Sequence, residues 1–384
     1  MKIAILTTDN REDVREYSKP EPWFGAAPEA LLQGFENFPE HQIHVLSCLQ
    51  RPVKSPATIG PSISYHGLHV PKFGWLRTGY QGCVRAVRKQ LRDIKPDIVH
   101  GQGTERDCAI STVFSGFPNV VTIHGNMAEL ARLFRKPVGS YGWLAARLED
   151  LTLKRTGGVF CNSEYTENLV RPRQIRTWRV PNPLRRQFFV PPGPSLASGR
   201  CTVVNVGVIS PRKRQLELLQ HLAALHTRGL DFEAQFIGRA DENDPYCVAF
   251  LKAIQQATAK GYARYLGSKS TEELIAIFDA SHALIHFPSE EAFGLVVAEG
   301  LARGIKFFGS AVGGIKEIAA GVACAELFDV PDWAGLMAAF TRWLSGGHLR
   351  VPQARTLMES RYHPRTIAGR HLEIYAEVLG LRQV

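Results

Sequence analysis

The chain has 384 residues, 45% hydrophobic and 21% charged, with a formal net charge of +10 at pH 7. That length exceeds one ordinary core and implies two domains of roughly 100–200 residues, while the apolar content excludes a disordered polyelectrolyte. Seven cysteines lie far apart, with no CxxC pair and no Cys/His spacing suited to zinc, so they read as buried thiols in a reducing compartment. No run approaches the ~20 apolar residues of a membrane helix, and MKIAILTTDN lacks the features of a signal peptide; both read as cytoplasmic.

In chain order, KIAILTT (2–8), HQIHVLSCL (41–49), DIVHGQG (97–103), VVTIHG (120–125) and GGVFCNS (157–163) are short, β-branched and closed by small residues, which predicts strands. Between them PEALLQGFENF, GYQGCVRAVRKQLRDI, MAELARLF, WLAARLEDLTLKR and EYTENLV repeat apolar residues at helical spacing. Residues 184–200, LRRQFFVPPGPSLASGR, lose all periodicity and read as a linker. The alternation then restarts. CTVVNVGVI, FEAQFIG, ARYLG, ALIHFP, KFFGS and AELFD read as strands, with helices between them and a helical stretch at the end. The expected fold class is α/β, two doubly wound parallel sheets facing each other across a cleft. The expected domains are 1–190, onto which a helix of about 362–384 packs back, and 200–361.

EAFGLVVAEGLARG (291–304) carries two glutamates eight positions apart. Glu291 falls in the loop after strand ALIHFP, Gly294 permits a tight helix entry, and Glu299 falls about two turns into the helix among Val296, Val297, Ala298, Leu301 and Ala302. A carboxylate in such company needs hydrogen-bond partners. The amides of Phe293, Gly294 and Leu295 stand at a helix start, where the dipole favours an anion such as a diphosphate. One ligand held at both ends fits this spacing; a first-turn charge and a solvated helix residue are the plainer alternative.

The run FPSEEAFGLVVAEGLARGIKFFGSAVGGIKEI resembles the E-x(7)-E signature of retaining GT-B glycosyltransferases, family 4 (glycosyl transferases group 1). The resemblance implies that Glu291 meets hydroxyls of a donor sugar, that the Phe293, Gly294 and Leu295 amides meet the donor diphosphate, and that Glu299 meets ribose hydroxyls. NVGVISPRKRQLELL resembles the family's first strand-loop-helix of the donor domain. Its lysine matches Lys213, whereas the expected arginine is replaced by Val208, leaving Arg212 or Arg214 as the substitute. RYLGS resembles a loop that seats the nucleotide base near Leu266 and Gly267, and RVPNPL resembles the segment leading into the hinge. His124 resembles the active-site histidine, and WFGAAPEALLQG resembles the glycine-rich loop near the donor phosphates, with Gly25 followed by Ala26 where a second glycine is usual.

The resemblance therefore implies a hexosyltransferase acting with retention on a UDP- or GDP-sugar, with His124, Glu291 and Lys213 catalytic. Gly25, Arg212, Leu266, Gly267, Phe293, Gly294, Leu295 and Glu299 would bind the nucleotide sugar, which is a co-substrate; no cofactor is expected. No D-x-D tripeptide is present to chelate a metal, so cations and helix-end amides are expected to stabilise the leaving group. A GT-B-like nucleotide-sugar epimerase or sugar phosphorylase is the alternative. The dispersed +10 charge reads as solvated faces and as peripheral contact with an anionic membrane surface, with no nucleic-acid partner. GQGTERDCA lacks the third glycine of a dinucleotide fingerprint and follows the wrong strand for one.

Overall fold

The computed structural model describes residues 1–191, 199–346 and 353–381. It divides into two compact units, Met1–Arg185 with Tyr362–Val384, and Arg186–Arg361.

In the first unit β1 (Lys2–Leu6), β2 (Gln42–Leu49), β3 (Thr58–Gly60), β4 (Ile63–His69), β5 (Ile98–Gln102), β6 (Asn119–Ile123), β7 (Val159–Cys161) and β8 (Thr177–Arg179) form one sheet in the order β3-β4-β2-β1-β5-β6-β7-β8. The register shows why β1 is central. Ile3 and Ile5 point to one face and Ala4 and Leu6 to the other, and all four are buried, as expected for a strand covered on both sides. Ile3 and Ile5 join a core with Phe35, Val45, Ile98, Phe160 and Tyr375, while Ala4 and Leu6 pack with Val87, Leu91, Val99 and Ile110.

The helix Pro364–Val378 closes the first face by lying on the helix Ala26–Phe35. Gly34 makes the approach possible: a Cβ there would collide with the Pro364 carbonyl and lie 2.7 Å from the Ala368 Cβ. Residues 382–384 of the expected terminal helix lie outside the described residues.

The second unit holds β9 (Thr202–Val206), β10 (Glu233–Ile237), β11 (Ala263–Tyr265), β12 (Ala283–His286), β13 (Lys306–Ser310) and β14 (Ala325–Phe328), all parallel, in the order β11-β10-β9-β12-β13-β14. Its core is rich in aromatics, with Phe232, Phe236, Phe250, Phe308 and Phe340 buried together. In each sheet the order reverses beside the first strand, between β1 and β5 and between β9 and β12. Ligands of open α/β sheets bind at the carboxyl ends of strands at such points.

Three expectations change. The first sheet is mixed, because β3 pairs antiparallel with β4 in a hairpin at its edge, where one side of the ladder needs no crossover helix. Residues 184–191 are not a loose linker: Leu184 and Phe188 are fully buried, and Arg186–Phe189 forms a 3-10 turn whose Phe188 carbonyl accepts from Arg303 Nη1 at 3.0 Å. Residues 192–198 of that stretch lie outside the described residues. The boundary between units accordingly falls between Arg185 and Arg186, not at 190–200.

Candidate active site

The second unit's switch point is built from the loops after β9 and β12. Lys213, in the first loop, forms an ion pair with Glu291, in the second, and both side chains are 12% exposed. His286 Nε2, at the end of β12, lies 3.3 Å from the same Glu291 oxygen. Beside them Arg212 Nη1 donates to the Glu290 carboxylate at 3.1 Å and its carbonyl at 3.2 Å, and the Ser289 amide donates to the Arg212 carbonyl at 2.9 Å. The two loops are thus laced by charge and backbone.

Electrostatics follow from this arrangement. Burial alone would raise the Glu291 carboxyl, but Lys213, the His286 hydrogen bond and Arg212 override it and hold the carboxyl well below the usual range. For Glu290 burial wins over Arg212 and raises the pKa. His286 is pushed down to about 4 by burial and by Lys213, so it is neutral at physiological pH, and its buried Nδ1 has no hydrogen-bond partner among the described residues.

The expected helix entry takes the shape its sequence demands. Gly294 caps the helix Leu295–Ala302 at φ +101°, a left-handed conformation that favours glycine. The first intrahelical bonds run from Val297 and Ala298 to the Gly294 carbonyl, so the amides of Gly294 and Leu295 precede the ladder. Phe293 and Glu299 are each 5% exposed. Gly314 packs so closely on this turn that a Cβ would lie 2.6 Å from the Phe293 carbonyl.

Other expected residues serve the fold first. The Leu266 amide donates to the Phe236 carbonyl at 2.8 Å and the Gly267 carbonyl accepts from Gly238 at 2.9 Å, so these main-chain groups are already engaged. Val208 is 55% exposed. Arg214 lies over the rings of Trp333 at 4.9 Å and Phe287 at 5.7 Å, with a buried Nη1 that has no partner among the described residues. Arg212 rather than Arg214 therefore stands with Lys213 at the loop junction.

In the first unit His124 directly follows β6. Its Nε2 meets Gln102 Oε1 at 2.9 Å and its ring also hydrogen-bonds Asn182; burial lowers its pKa to about 4, against the effect of Asn182. Beneath it Gln102 Nε2 lies 3.3 Å from His100 Nε2, and His100 Nδ1 meets the Tyr375 hydroxyl at 2.5 Å. A polar column thus runs from His124 to the terminal helix. Gly25 caps the helix Ala26–Phe35 at φ −58°, and a Cβ there would meet only Pro28 Cδ, at 3.8 Å; nothing in the protein itself requires glycine at this position.

Sequence reasoning passed over His286, Gln102 and Asn182, each of which reads as an ordinary strand or loop residue until its partner is known. It also passed over one cluster: Cys48, Cys83 and Asp107 place their ligand-capable atoms within 4.8 Å of one another, all buried. Cys48 hydrogen-bonds Cys83 and Asp107, so the group satisfies itself as a thiol and carboxylate network. All seven cysteines are free and buried.

Two family models match the chain: "Glycosyl transferase 4-like domain" over residues 31–183 and "Glycosyl transferases group 1" over residues 192–356. A phosphatidyl-myo-inositol mannosyltransferase from Mycolicibacterium smegmatis is 27% identical over 173 residues, 44% of this chain and 43% of the relative. The chain thus matches less than half the length of that curated relative. Among solved structures, sucrose-phosphate synthase from Thermosynechococcus elongatus superposes with a TM-score of 0.77 at 17% identity over 100% of both chains. HepE from Anabaena, solved with UDP and glucose, gives 0.70 at 16% identity over 98% of this chain and 99% of its own. Two Rossmann-like units with this topology have the GT-B fold, and the chain belongs to the group 1 glycosyltransferases.

Proposed function

We propose that this glycosyltransferase moves a hexosyl group from a UDP- or GDP-sugar to an acceptor hydroxyl, with retention at the anomeric carbon and without a metal. The observation that carries the reading is the junction of Lys213, His286 and Glu291 beside the Gly294 turn, at the switch point where an α/β sheet takes its ligand. Glu291 is kept ionised by its neighbours, which suits a group that accepts hydrogen bonds from sugar hydroxyls. Lys213, Arg212 and the amides at the start of Leu295–Ala302 offer positive charge to a departing diphosphate. Glu299 takes the ribose. The HepE structures holding UDP and UDP-glucose support a uridine donor.

The test is release of nucleoside diphosphate from a panel of UDP- and GDP-sugars, with and without a chelator, and NMR assignment of the anomeric product. Release that survives chelation, with a retained anomer, supports the proposal. Release that requires Mg²⁺, or an inverted anomer, removes the corresponding part of it.

The acceptor side extends to a surface. Lys72, Arg77, Arg85, Arg88, Lys89 and Arg92 are exposed, as is Phe73 at 81%, while Cys83, Val84, Val87, Leu91 and Ile94 bury the other face of the helix Gln81–Ile94. A basic helix with an apolar prong suits peripheral contact with an anionic bilayer, and the relative named for phosphatidyl-myo-inositol is consistent with an acceptor at such a surface. Among the described residues no helix is long and apolar enough to cross a membrane. Sedimentation with phosphatidylglycerol vesicles, lost on Phe73→Ser with Arg88→Glu, checks this part.

A further inference from the structure

The loop after β9 ends on a residue in a disfavoured conformation. Arg214 precedes the helix Gln215–Thr227 with φ +59° and ψ +36°, and among the described residues of the second unit it is the one non-glycine with a positive φ. The left-handed region is costly for a residue that carries a Cβ. Such a conformation persists only where the surroundings enforce it, and such residues collect at functional sites.

The turn has a direct consequence for the neighbouring lysine. The Lys213 and Arg214 amides both donate to the Ser210 carbonyl, at 3.0 and 3.1 Å, so residues 210–213 already form one helical turn. A right-handed Arg214 would run that turn straight into the helix Gln215–Thr227 and make Lys213 a first-turn side chain of it. The left-handed residue breaks the run instead. Successive side chains then take separate partners: Arg212 the Glu290 carboxylate, Lys213 the Glu291 carboxylate, Arg214 the rings of Phe287 and Trp333, and Gln215 the Val208 carbonyl at 3.1 Å.

The arginine side chain holds this backbone in place. Its guanidinium lies over Trp333, which opens the helix Trp333–Ser345, and over the buried Phe287, which follows His286 at the end of β12. The two rings pack on each other with centroids 4.5 Å apart. A cation over this pair gains an attraction that offsets the backbone cost. Helix capping does not explain the residue, because its side chain makes no cap hydrogen bond and the Leu216 amide donates to the Tyr246 hydroxyl at 2.9 Å instead. The buried Nη1 without a partner among the described residues is a further cost that stability alone would not select.

We propose that Arg214 is a positioning residue for Lys213: its left-handed backbone aims the lysine at Glu291, and its stack on Phe287 and Trp333 locks that conformation. The inference rests on the transferase reading, in which Lys213 faces the departing diphosphate, and adds how the lysine is held. Phe287 lies on the same chain segment as His286 and Glu291, so the stack fixes the lysine's loop against the strand end that supplies its partner.

The experiment has two arms. In the first, urea denaturation of Lys213→Ala, Glu291→Gln and the double variant gives the coupling between the two residues, measured with Arg214, with Arg214→Ala and with Arg214→Gly. The coupling should fall by about half or more in Arg214→Ala and return in Arg214→Gly, since glycine takes a positive φ at no steric cost. An unchanged coupling in Arg214→Ala overturns the proposal.

The second arm follows release of nucleoside diphosphate from UDP-glucose and GDP-mannose with water as the acceptor. Arg214→Ala should turn over about 10-fold more slowly with a KM within about twofold of wild type, and Arg214→Gly should recover most of the rate. Lys213→Ala combined with Arg214→Ala should be no slower than Lys213→Ala alone, because both act through one side chain. Losses that multiply, or an Arg214→Gly enzyme as slow as Arg214→Ala, overturn the role of Arg214 and leave the transferase reading standing. A wild type that releases neither nucleotide overturns that reading, and the coupling in the first arm then decides by itself whether Arg214 places Lys213.

Discussion

Lys213 and Glu291 form an ion pair that ties the loop after β9 to the loop after β12, and His286 Nε2 meets the same carboxylate oxygen at 3.3 Å. The pair is largely shut from water, so the two charges depend on each other. Each would be costly to hold there alone.

Replacing Lys213 with Ala leaves the Glu291 carboxylate without its main counter-charge and should cost about 3–5 kcal/mol of stability as well as slow turnover. The pH dependence has a definite sign. A carboxyl whose folded pKa lies below its unfolded value of ~4.3 adds stability that is fully present above that value and is lost as the pH falls through the folded one. Wild-type protein should therefore lose this contribution only below about pH 4, and Lys213→Ala should show a shallower acid limb. Urea denaturation at several pH values measures both.

Gly294→Ala places a side chain at φ +101° and brings its Cβ to 3.0 Å from Ile315 Cγ1. The strain should cost about 1–3 kcal/mol. Because the turn carries Phe293 and the start of Leu295–Ala302, nucleotide affinity should fall with it. Thermal melting with and without UDP separates the two effects.

Gly34→Ala tests the docking of the terminal helix. The added methyl meets the Pro364 carbonyl, a backbone atom that cannot swing away, and overpacking of this kind costs about 1–3 kcal/mol. Hydrogen exchange should quicken across Pro364–Val378 and Ala26–Phe35 and stay unchanged in β9, β10 and β12.

Much of this architecture can be read in the sequence because parallel strands are buried on both faces. KIAIL announces β1, since every one of its side chains except the first must be apolar, and the glycine after Phe293 announces a helix that starts from a left-handed residue. The hairpin of β3 and β4 is less legible. ISYHGLH sets Ser64, His66 and His69 on a half-solvated edge, so no continuous apolar run marks it. Thr177–Arg179 is hidden for a similar reason, being a short edge strand inside a basic stretch.

The arrangement around the site divides along another line. Glu291, Gly294 and Glu299 lie within one local stretch, whose spacing is visible to any reader. His286 reads as filling in ALIHFP, because its bond to Glu291 depends on how Pro288 to Glu290 turn the chain. Gln102 meets His124 across 22 residues. Such pairings belong to the sheet order, which single-sequence periodicity does not supply.

The central claim is that the segment from Glu291 to Glu299 seats a nucleoside diphosphate. Isothermal titration of UDP and GDP into wild-type protein and into Glu299→Ala tests it most directly. One of the two nucleotides should bind the wild type and raise its melting temperature, and Glu299→Ala should bind it about 10- to 100-fold more weakly with its fold intact. Binding of neither nucleotide, or equal binding by both proteins, would contradict the account.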